Sequence, residues 1–273
     1  MGLSRRTVIL GMTGLAVSAC TTVENQRPSV TTPPPSPPSP PTTTSVKSVV
    51  NTKLTSKARG RDVTVITMAP DGHNPDDLPK CVALHGRGED ASWMVRLDVQ
   101  KSLTQVVQAG VKPFAVVAVD GGSETYWVDG KPGDNPQKML LEELGPIQAA
   151  FGISMGAFGA LRFGRTRKDL KAVVAISPAL FRDWPTAKSK RVFADQAHWE
   201  ANEPLRHTND LAGVPLGVWC GASDSCITVT KALINQTKPA KAVITPGGHT
   251  QDYWKPVMPE VLTFVGERIS ATA

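Results

Sequence analysis

Short apolar runs, each bounded by Gly, Pro or Asp, recur along the chain from about residue 49 onward. Several are apolar at every position, as strands buried on both faces must be, and stretches with helical spacing lie between or after them. We predict strands at residues 63–66, 81–84, 114–119, 172–176, 216–220 and 242–244, and helices at 97–108, 155–165 and 255–269. This alternation indicates an α/β fold with a mostly parallel central sheet and helices on both faces. Ligands are then expected at the carboxyl ends of the strands.

Residues 1–19 have the pattern of an export signal. Arg5 and Arg6 precede an apolar stretch that is shorter than the about 20 residues needed to span a bilayer. The run SRRTVI at residues 4–9 resembles a twin-arginine signal, with general secretion as the alternative route. The run VSAC at residues 17–20 resembles a bacterial lipobox, which predicts cleavage before Cys20 and lipidation of its sulfur; the alternative is an ordinary secretory signal with an incidental Cys. We expect a protein anchored by lipid to the outer face of a bacterial cell membrane, or secreted if the lipobox is not used.

Residues 20–48 are mostly Pro, Thr and Ser, and eight Pro lie between Pro28 and Pro41. With almost no large apolar residue, this segment cannot bury enough surface to offset the conformational entropy lost on ordering. We predict a disordered tether that begins at the lipidated Cys20. A single folded domain is expected to follow over residues 49–273.

Composition and charge exclude several classes of protein. Because 40% of the 273 residues are hydrophobic, the chain can form a sizeable core. The formal net charge of +6 falls to +4 when Arg5 and Arg6 leave with the signal, which contains no Asp or Glu. The other Lys and Arg are scattered without interleaved aromatic residues, so we interpret them as solvated surface and expect no nucleic-acid partner.

A Gly-x-Ser-x-Gly pattern at residues 152–156 points to nucleophilic chemistry. It follows the apolar run 147–151 and leads directly into the predicted helix 155–165, so Ser154 lies on a strand-to-helix turn. The flanking glycines leave room for strained backbone at the serine, which exposes its hydroxyl. The start of the helix directs N–H groups and a positive dipole toward an oxyanion formed there.

A nucleophilic serine needs a base, and an acid to orient the base, in the chain order Ser, acid, His. Three of the five His follow Ser154, and we assign His249 as the base because it lies in a Gly-rich loop after a predicted strand. Asp224 also follows a predicted strand and precedes His249, so we assign it as the acid. The rival acids are Asp210, which precedes a strand, and Asp252, which lies at the start of the last helix.

The loop after the strand 81–84 is expected to supply a second oxyanion donor. His85 and Gly86 let the backbone turn so that the N–H of Arg87 points at the site beside the N–H of Met155. The alternative is a Gly-rich turn without a ligand role. We also assign four residues to the substrate pocket, namely His85, Gly86, Trp127 and Trp254.

Five motifs occur in the order and approximate spacing of a known group of enzymes: LHGRGED, VDGG followed by YW, GISMGAFGAL, CGASD and GGHTQDYW. Over about residues 56–267 the chain resembles the α/β-hydrolases that include esterase D-type serine esterases and secreted mycolyltransferases. The resemblance implies an α/β-hydrolase fold with Ser154, Asp224 and His249 as a triad and with Arg87 and Met155 as oxyanion donors.

The chain departs from that group in two places. Ala157 and Phe158 stand where esterase D-type proteins usually have Gly and Tyr, which is a conservative difference. The segment between Asp120 and Gly152 is shorter than usual. We therefore expect little room for a full helix at residues 136–144.

Three cysteines remain if Cys20 is lipidated. Cys220 and Cys226 bracket Asp224 closely enough for a disulfide across that loop, and an exported setting permits one. Cys81 lies in a predicted buried strand, and we interpret it as an inert core thiol. No spacing resembles a zinc pattern, so we expect neither a metal nor a cofactor.

An excursion between two predicted strands, residues 181–214, is expected to cap the pocket. Its aromatic residues Trp184, Phe193 and Trp199 are as consistent with core packing as with substrate contact. Glu200 and Glu203 lie in the same polar excursion and are expected to face water.

Together these assignments predict a membrane-tethered serine esterase that cleaves carboxylic esters through an acyl-enzyme. With water as the acceptor the enzyme is an esterase, and with a sugar hydroxyl of the cell envelope it is an acyltransferase; the sequence leaves both open. A non-catalytic surface binding protein on the same fold is the third interpretation. The expected ligand is an ester-containing small molecule, a lipid or an acylated sugar, and the expected oligomeric state is a monomer.

Overall fold

The computed structural model describes residues 47–130 and 132–270. The export signal assigned to residues 1–19, the lipidation site Cys20 and nearly all of the predicted tether lie outside these residues. The described strands are β1 (Val49–Ser56), β2 (Arg61–Met68), β3 (Lys80–Leu84), β4 (Ala115–Val119), β5 (Ala149–Ile153), β6 (Ala172–Ile176), β7 (Leu216–Gly221) and β8 (Lys241–Thr245).

These strands form a single sheet in the order β1-β2-β4-β3-β5-β6-β7-β8. β2 is antiparallel to both of its neighbours, β1 and β4. From β4 to β8 every neighbouring pair is parallel. The mostly parallel sheet predicted from the apolar runs is therefore confirmed.

Strand β1 was not among the predicted strands. It is an edge strand whose side chains are mostly exposed, so its sequence lacks the continuous apolar run that marks the central strands. Its pairing with β2, from Val49 opposite Met68 to Ser56 opposite Arg61, is what defines it.

The helices in the described ranges are α1 (Trp93–Arg96), α2 (Val99–Gln108), α3 (Pro136–Glu142), α4 (Met155–Thr166), α5 (Trp184–Lys188), α6 (Gln196–Asn202), α7 (Ile227–Thr237) and α8 (Gln251–Ile269). The predicted helix 97–108 corresponds to α2, which begins two residues later because Asp98 adopts a left-handed conformation with φ 57°. The short helix α1, which precedes it, was not predicted. The segment between Asp120 and Gly152 does hold a helix, α3, but one of only seven residues. None of the helices in the described ranges is both long enough and apolar enough to span a bilayer.

Two hydrophobic cores lie on opposite faces of the sheet. Along β3, Val82 and Leu84 pack in the core formed with α3, α4 and α7, whereas Cys81 and Ala83 pack in the core formed with α1, α2 and α8. This alternation is the period of two that a strand imposes on its side chains. Cys81 is fully buried, and burial raises the pKa of its thiol. The predicted placement of helices on both faces is confirmed.

The excursion between β6 and β7 contains α5, α6 and two short 3₁₀ turns, Pro204–Arg206 and Thr208–Leu211. Phe193 and Trp199 are buried in the core on the α4 side, and Trp184 packs against that core, its ring centroid 6.3 Å from that of Trp199. These aromatic residues therefore anchor the excursion to the domain.

The expectation that Glu203 faces water is wrong, because its side chain is fully buried. Its carboxylate accepts hydrogen bonds from the N–H of Phe181 at 3.1 Å, the indole N–H of Trp199 at 3.1 Å and the N–H of Leu205 at 3.2 Å. These three donors compensate for the lost hydration and tie the start of the excursion to its middle part. Glu200 is partly exposed at the surface.

Burial raises the pKa of Glu203 to about 7, from an ordinary value of 4.5, although its hydrogen bonds oppose that rise. The folded state then binds the Glu203 proton more tightly than the unfolded chain does. Stability is therefore expected to fall between about pH 4.5 and about pH 7, by on the order of 3 kcal/mol in the free energy of unfolding.

Replacement Glu203→Gln is expected to remove this part of the pH dependence, since an amide does not titrate. Urea unfolding at about pH 5 and about pH 8 would measure the free-energy difference for the wild type and the variant. Glu200→Gln, at the partly exposed neighbour, is the control and is expected to keep the wild-type difference in the free energy of unfolding between the two pH values. An unchanged difference in Glu203→Gln would contradict the raised pKa of Glu203.

Candidate active site

The connection from β5 to α4 consists of one residue, Ser154, with φ 56° and ψ −115°. A β-carbon on Gly152 would overlap the backbone of Gly156, and one on Gly156 would overlap the carbonyl of Leu84. Helix α4 therefore begins in close contact with β3 and β5, which only glycine permits at these two positions. The tight turn holds Ser154 in a strained conformation at the carboxyl edge of the sheet.

Ser154, His249 and Asp224 form a continuous hydrogen-bonded chain. The Nε2 atom of His249 lies 2.9 Å from the Oγ atom of Ser154. The Nδ1 atom of the same ring lies 2.9 and 3.0 Å from the two carboxylate oxygens of Asp224. The Asp224 side chain is fully buried, whereas 28% of the His249 side chain is exposed. The structure thus brings together the three residues assigned from the sequence, of which Ser154 and His249 are 95 residues apart in the chain.

The environment of Asp224 favours its ionised form. Burial by itself raises the pKa of Asp224, but hydrogen bonds from His249, the Ser177 hydroxyl and the N–H of Cys226 outweigh it and hold the pKa below its usual value. A buried carboxylate that stays charged can orient His249 and stabilise the ring when it becomes protonated.

Ser177 is a site residue that the sequence reasoning missed. It is fully buried at the end of β6, and its Oγ atom accepts a hydrogen bond of 2.9 Å from the indole N–H of Trp254. Trp254 in turn lies edge-on to the His249 ring, with centroids 5.0 Å apart. The available signal was its position, directly after the apolar run 172–176 at the carboxyl end of a strand.

The two rival acids lie elsewhere. The Asp210 carboxylate contacts the Arg165 guanidinium at 3.4 Å and the ring of His207 at 3.6 Å. Asp252 is exposed in the first turn of α8. The geometry therefore favours Asp224 as the partner of His249.

The N–H groups of Arg87 and Met155 have no hydrogen-bond acceptor among the described residues. Met155 is the first residue of α4, so its N–H lacks an intrahelical partner. Arg87 lies in the turn after β3, which is held by a hydrogen bond of 2.7 Å from the N–H of Gly88 to the carbonyl of Ser123. Both donors are available to a ligand, as the predicted oxyanion roles require.

A cavity of about 580 Å³ opens above Ser154 and His249. Gly86 and Trp254 line it, as predicted from the sequence. Apolar side chains on the lining include Trp93, Tyr126 and Ala179, and polar ones include Arg87, Glu89, Glu124, Lys190, Ser225 and Gln251. The sequence reasoning had not assigned Trp93 to the pocket.

The assignment of His85 and Trp127 to the pocket is wrong, because both are fully buried and neither lines the cavity. The Nε2 atom of His85 accepts from the N–H of Gly121 at 3.0 Å, and the indole N–H of Trp127 donates to the His85 carbonyl at 3.3 Å. These two residues connect the loops after β3 and β4. They support the oxyanion turn from behind instead of contacting substrate.

The space left by two glycines explains why Tyr126, and not Trp127, lines the cavity. Both residues adopt left-handed conformations, with φ 51° and φ 56°. The Trp127 ring packs directly against Gly121 and Gly159, and a β-carbon at either glycine would overlap the ring. Trp127 therefore packs beside these two glycines, and Tyr126 is left at the cavity.

The predicted disulfide between Cys220 and Cys226 is absent, and both residues are free thiols. The Sγ atom of Cys220 is buried in β7 and accepts a hydrogen bond of 3.4 Å from the Thr230 hydroxyl on α7. Cys226 lines the cavity instead. Burial raises the pKa of Cys220 to about 11 and that of Cys226 to about 12.

Asp224, Cys226 and His249 also place one potential metal-ligand atom each within 4.8 Å of one another. Oxygen, sulfur and nitrogen donors in this combination suit zinc. However, Asp224 and His249 are already hydrogen-bonded to each other in a chain that ends on Ser154. The arrangement is suited to proton transfer, and we assign no metal to it.

Several solved structures have an architecture similar to that of this chain. A ferulic acid esterase superposes with a TM-score of 0.69 at 22% identity, covering 81% of this chain and 98% of that one. MPT51 (FbpC1) of Mycobacterium tuberculosis gives 0.65 at 17% identity, covering 81% and 98%. The S-formylglutathione hydrolase FrmB of Staphylococcus aureus gives 0.62 at 16% identity, covering 80% and 98%.

At these identities the likeness defines the fold, which is that of the α/β-hydrolases. No protein-family model matches the chain, and none of the curated sequences is similar to it. The predicted fold class is confirmed.

The free thiols can be tested by alkylation. Protein denatured without a reducing agent and treated with iodoacetamide is expected to carry a label on Cys81, Cys220 and Cys226, as peptide mass spectrometry would show. Samples that are reduced before labelling are the control and should give the same labelling. If Cys220 and Cys226 were labelled only after reduction, the two residues would form a disulfide and the assignment of free thiols would be wrong.

Proposed function

We propose that this protein is a serine hydrolase that cleaves carboxylic esters through an acyl-enzyme. The observation that carries the proposal is the hydrogen-bonded chain from Asp224 through His249 to the Ser154 hydroxyl at the base of an open cavity. The names of the structural neighbours, a ferulic acid esterase and an S-formylglutathione hydrolase among them, support it.

The first half of the reaction forms the acyl-enzyme. Ser154 Oγ attacks the ester carbonyl while Nε2 of His249 takes the hydroxyl proton. The N–H groups of Met155 and Arg87 donate hydrogen bonds to the tetrahedral oxyanion, and each such donor contributes about 10²-fold or more in rate. His249 then returns the proton to the departing alcohol as the carbon–oxygen bond of the ester breaks.

The second half releases the acid. Water, deprotonated by His249, attacks the acyl-enzyme, and the same proton returns to Ser154 when its bond to the acyl carbon breaks. Throughout the cycle Asp224 stays ionised and stabilises the protonated His249 ring. Ser177 is a positioning residue, since its hydroxyl accepts a hydrogen bond from Trp254, which packs against the base, and its side chain contributes to the lowered pKa of Asp224.

The proposal extends to the location of the enzyme. The signal-like residues 1–19, the lipobox ending at Cys20 and the Pro-rich segment that follows support a lipid-anchored protein held away from a bacterial membrane by a tether. A sugar hydroxyl in place of water would make the same site an acyltransferase. Adding glucose or trehalose to an assay and looking for acylated sugar by mass spectrometry distinguishes the two acceptors.

Replacement of the nucleophile is the primary test. Ser154→Ala is expected to lower kcat/KM for a 4-nitrophenyl ester series of increasing acyl length by about 10⁴-fold or more. The release of 4-nitrophenolate would be followed by absorbance. Ser223→Ala, at an exposed serine beside Asp224, is the matched control and is expected to retain wild-type rates. Equal activity in Ser154→Ala and wild type would overturn Ser154 as the nucleophile, and no ester hydrolysis by either protein would favour the binding-protein interpretation.

Replacement of Asp224 tests its role as the acidic partner of His249. Asp224→Asn keeps the shape of the side chain but removes its charge, so kcat is expected to fall by about 10⁴-fold with a much smaller change in KM. Steady-state kinetics on one ester would measure both constants. Asp252→Asn serves as the control at an exposed carboxylate, and a similar loss in that variant would move the acid role to Asp252.

A further inference from the structure

A second cavity of about 310 Å³ adjoins the cavity above Ser154. The two share Arg87, Glu124 and Lys190 in their linings, so they are parts of one cleft. The remaining lining of the second cavity consists of Thr125, Val128, Gly130, Asp134, Ser189, Arg191 and Val192. None of these residues has a role in the acyl-transfer steps proposed above.

The acidic side chains that line this cleft are neutralised by arginines. The Glu124 carboxylate pairs with the Arg87 guanidinium at 2.9 Å, and Glu89 pairs with Arg96. Asp134 pairs with two arginines that do not line the cleft, at residues 59 and 61. Each lining carboxylate is therefore already compensated within the described residues.

Two lining cations have no such partner. Neither Lys190 nor Arg191 forms an ion pair with any residue in the described ranges. Lys190 lies at the junction of the two cavities, and Arg191 lines the second. The cleft therefore has an excess of positive charge on the side of the second cavity.

The backbone holds these two residues in place. The N–H of Lys190 donates to the carbonyl of Ala187, and the N–H of Arg191 donates to that of Lys188, each at 3.0 Å. Arg191 adopts a left-handed conformation with φ 57°, which is costly for a long side chain. The buried Phe193 fixes the chain two residues further on. Such strain in a cleft wall is typical of a binding segment.

We propose that the second cavity binds a carboxylate or phosphate group carried by the ester substrate, and that Lys190 and Arg191 recognise it. This inference rests on the proposed esterase function and names the class of ester that the site prefers. A neutral sugar or an alkyl chain would leave both cations without a counter-charge. An anion lying between them would complete the compensation that the other charged residues of the cleft already have.

The test uses pairs of esters in which a carboxylate is either free or masked as its methyl ester, and the rate is measured as release of the phenol. 4-Acetoxybenzoate carries an anion on the alcohol side, and methyl 4-acetoxybenzoate is its neutral counterpart. Monophenyl succinate and phenyl methyl succinate form the same pair with the charge on the acyl side. The ratio of kcat/KM for the charged ester to that for the neutral ester is measured for wild type, Lys190→Gln, Arg191→Gln and the double variant. Comparing ratios between proteins cancels the intrinsic reactivity of each ester.

The ratio is expected to fall by about 3-fold in each single variant and by about 10-fold in the double variant, for at least one of the two pairs. The pair that responds shows which half of the ester enters the second cavity. In the wild type the ratio is also expected to decrease as NaCl rises from about 0.05 to about 0.5 M. Lys188→Gln, an exposed lysine at the end of α5 that lines neither cavity, is the control and should leave the ratios unchanged.

Unchanged ratios for both pairs in the double variant would overturn the proposal, as would an equal fall in Lys188→Gln. Either result would leave the esterase function standing, because hydrolysis of the neutral esters that is abolished by Ser154→Ala is measured in the same experiments. Failure of the proposed function would appear differently, as equal activity of Ser154→Ala and the wild type on every ester.

Discussion

The site depends on the close approach of helix α4 to strands β3 and β5. Gly152 and Gly156 allow this contact because a β-carbon at either position would overlap backbone atoms. The chain must then turn within a single residue, which forces Ser154 to φ 56°. Two consequences matter for chemistry: the hydroxyl stands at the edge of the sheet, and the N–H of Met155 begins a helix without an acceptor.

The parallel register of the sheet assembles the other groups around that turn. Ser154, Ser177, Asp224 and His249 follow β5, β6, β7 and β8, which are consecutive neighbours in the sheet. Since parallel neighbours end at the same edge, residues far apart in the chain come within hydrogen-bond distance of one another. Burial of Asp224 and Ser177 then separates the acid from water, while His249 stays partly exposed to the cavity.

The cavity combines two kinds of surface. Trp93 and Trp254 form an edge-to-face pair, with ring centroids 5.4 Å apart, on one part of the lining. Another part, which continues into the second cavity, consists of ion-paired carboxylates and of Lys190 and Arg191, which form no ion pair within the described ranges. An ester with an apolar portion and an anionic portion would satisfy both surfaces. The loops that carry these residues are supported by the buried His85 and Trp127 and by the buried Glu203.

The sequence alone predicted the type and order of the central parallel strands, the strained serine turn and Asp224 as the preferred partner of His249. Each of these depends on local signals: apolar runs, flanking glycines and the position of a polar residue just after a strand. Only the tertiary structure decided which side chains of the irregular segments face the cavity. Trp127 is buried because the nearby Gly121 and the more distant Gly159 leave space for its ring, and Glu203 is buried because Phe181 and Trp199 donate hydrogen bonds to it. The cysteines show the same limit: Cys220 lies in β7 and contacts Thr230 on α7, whereas Cys226 lies in the loop between these elements and lines the cavity, so their short spacing in the sequence did not determine that they pair.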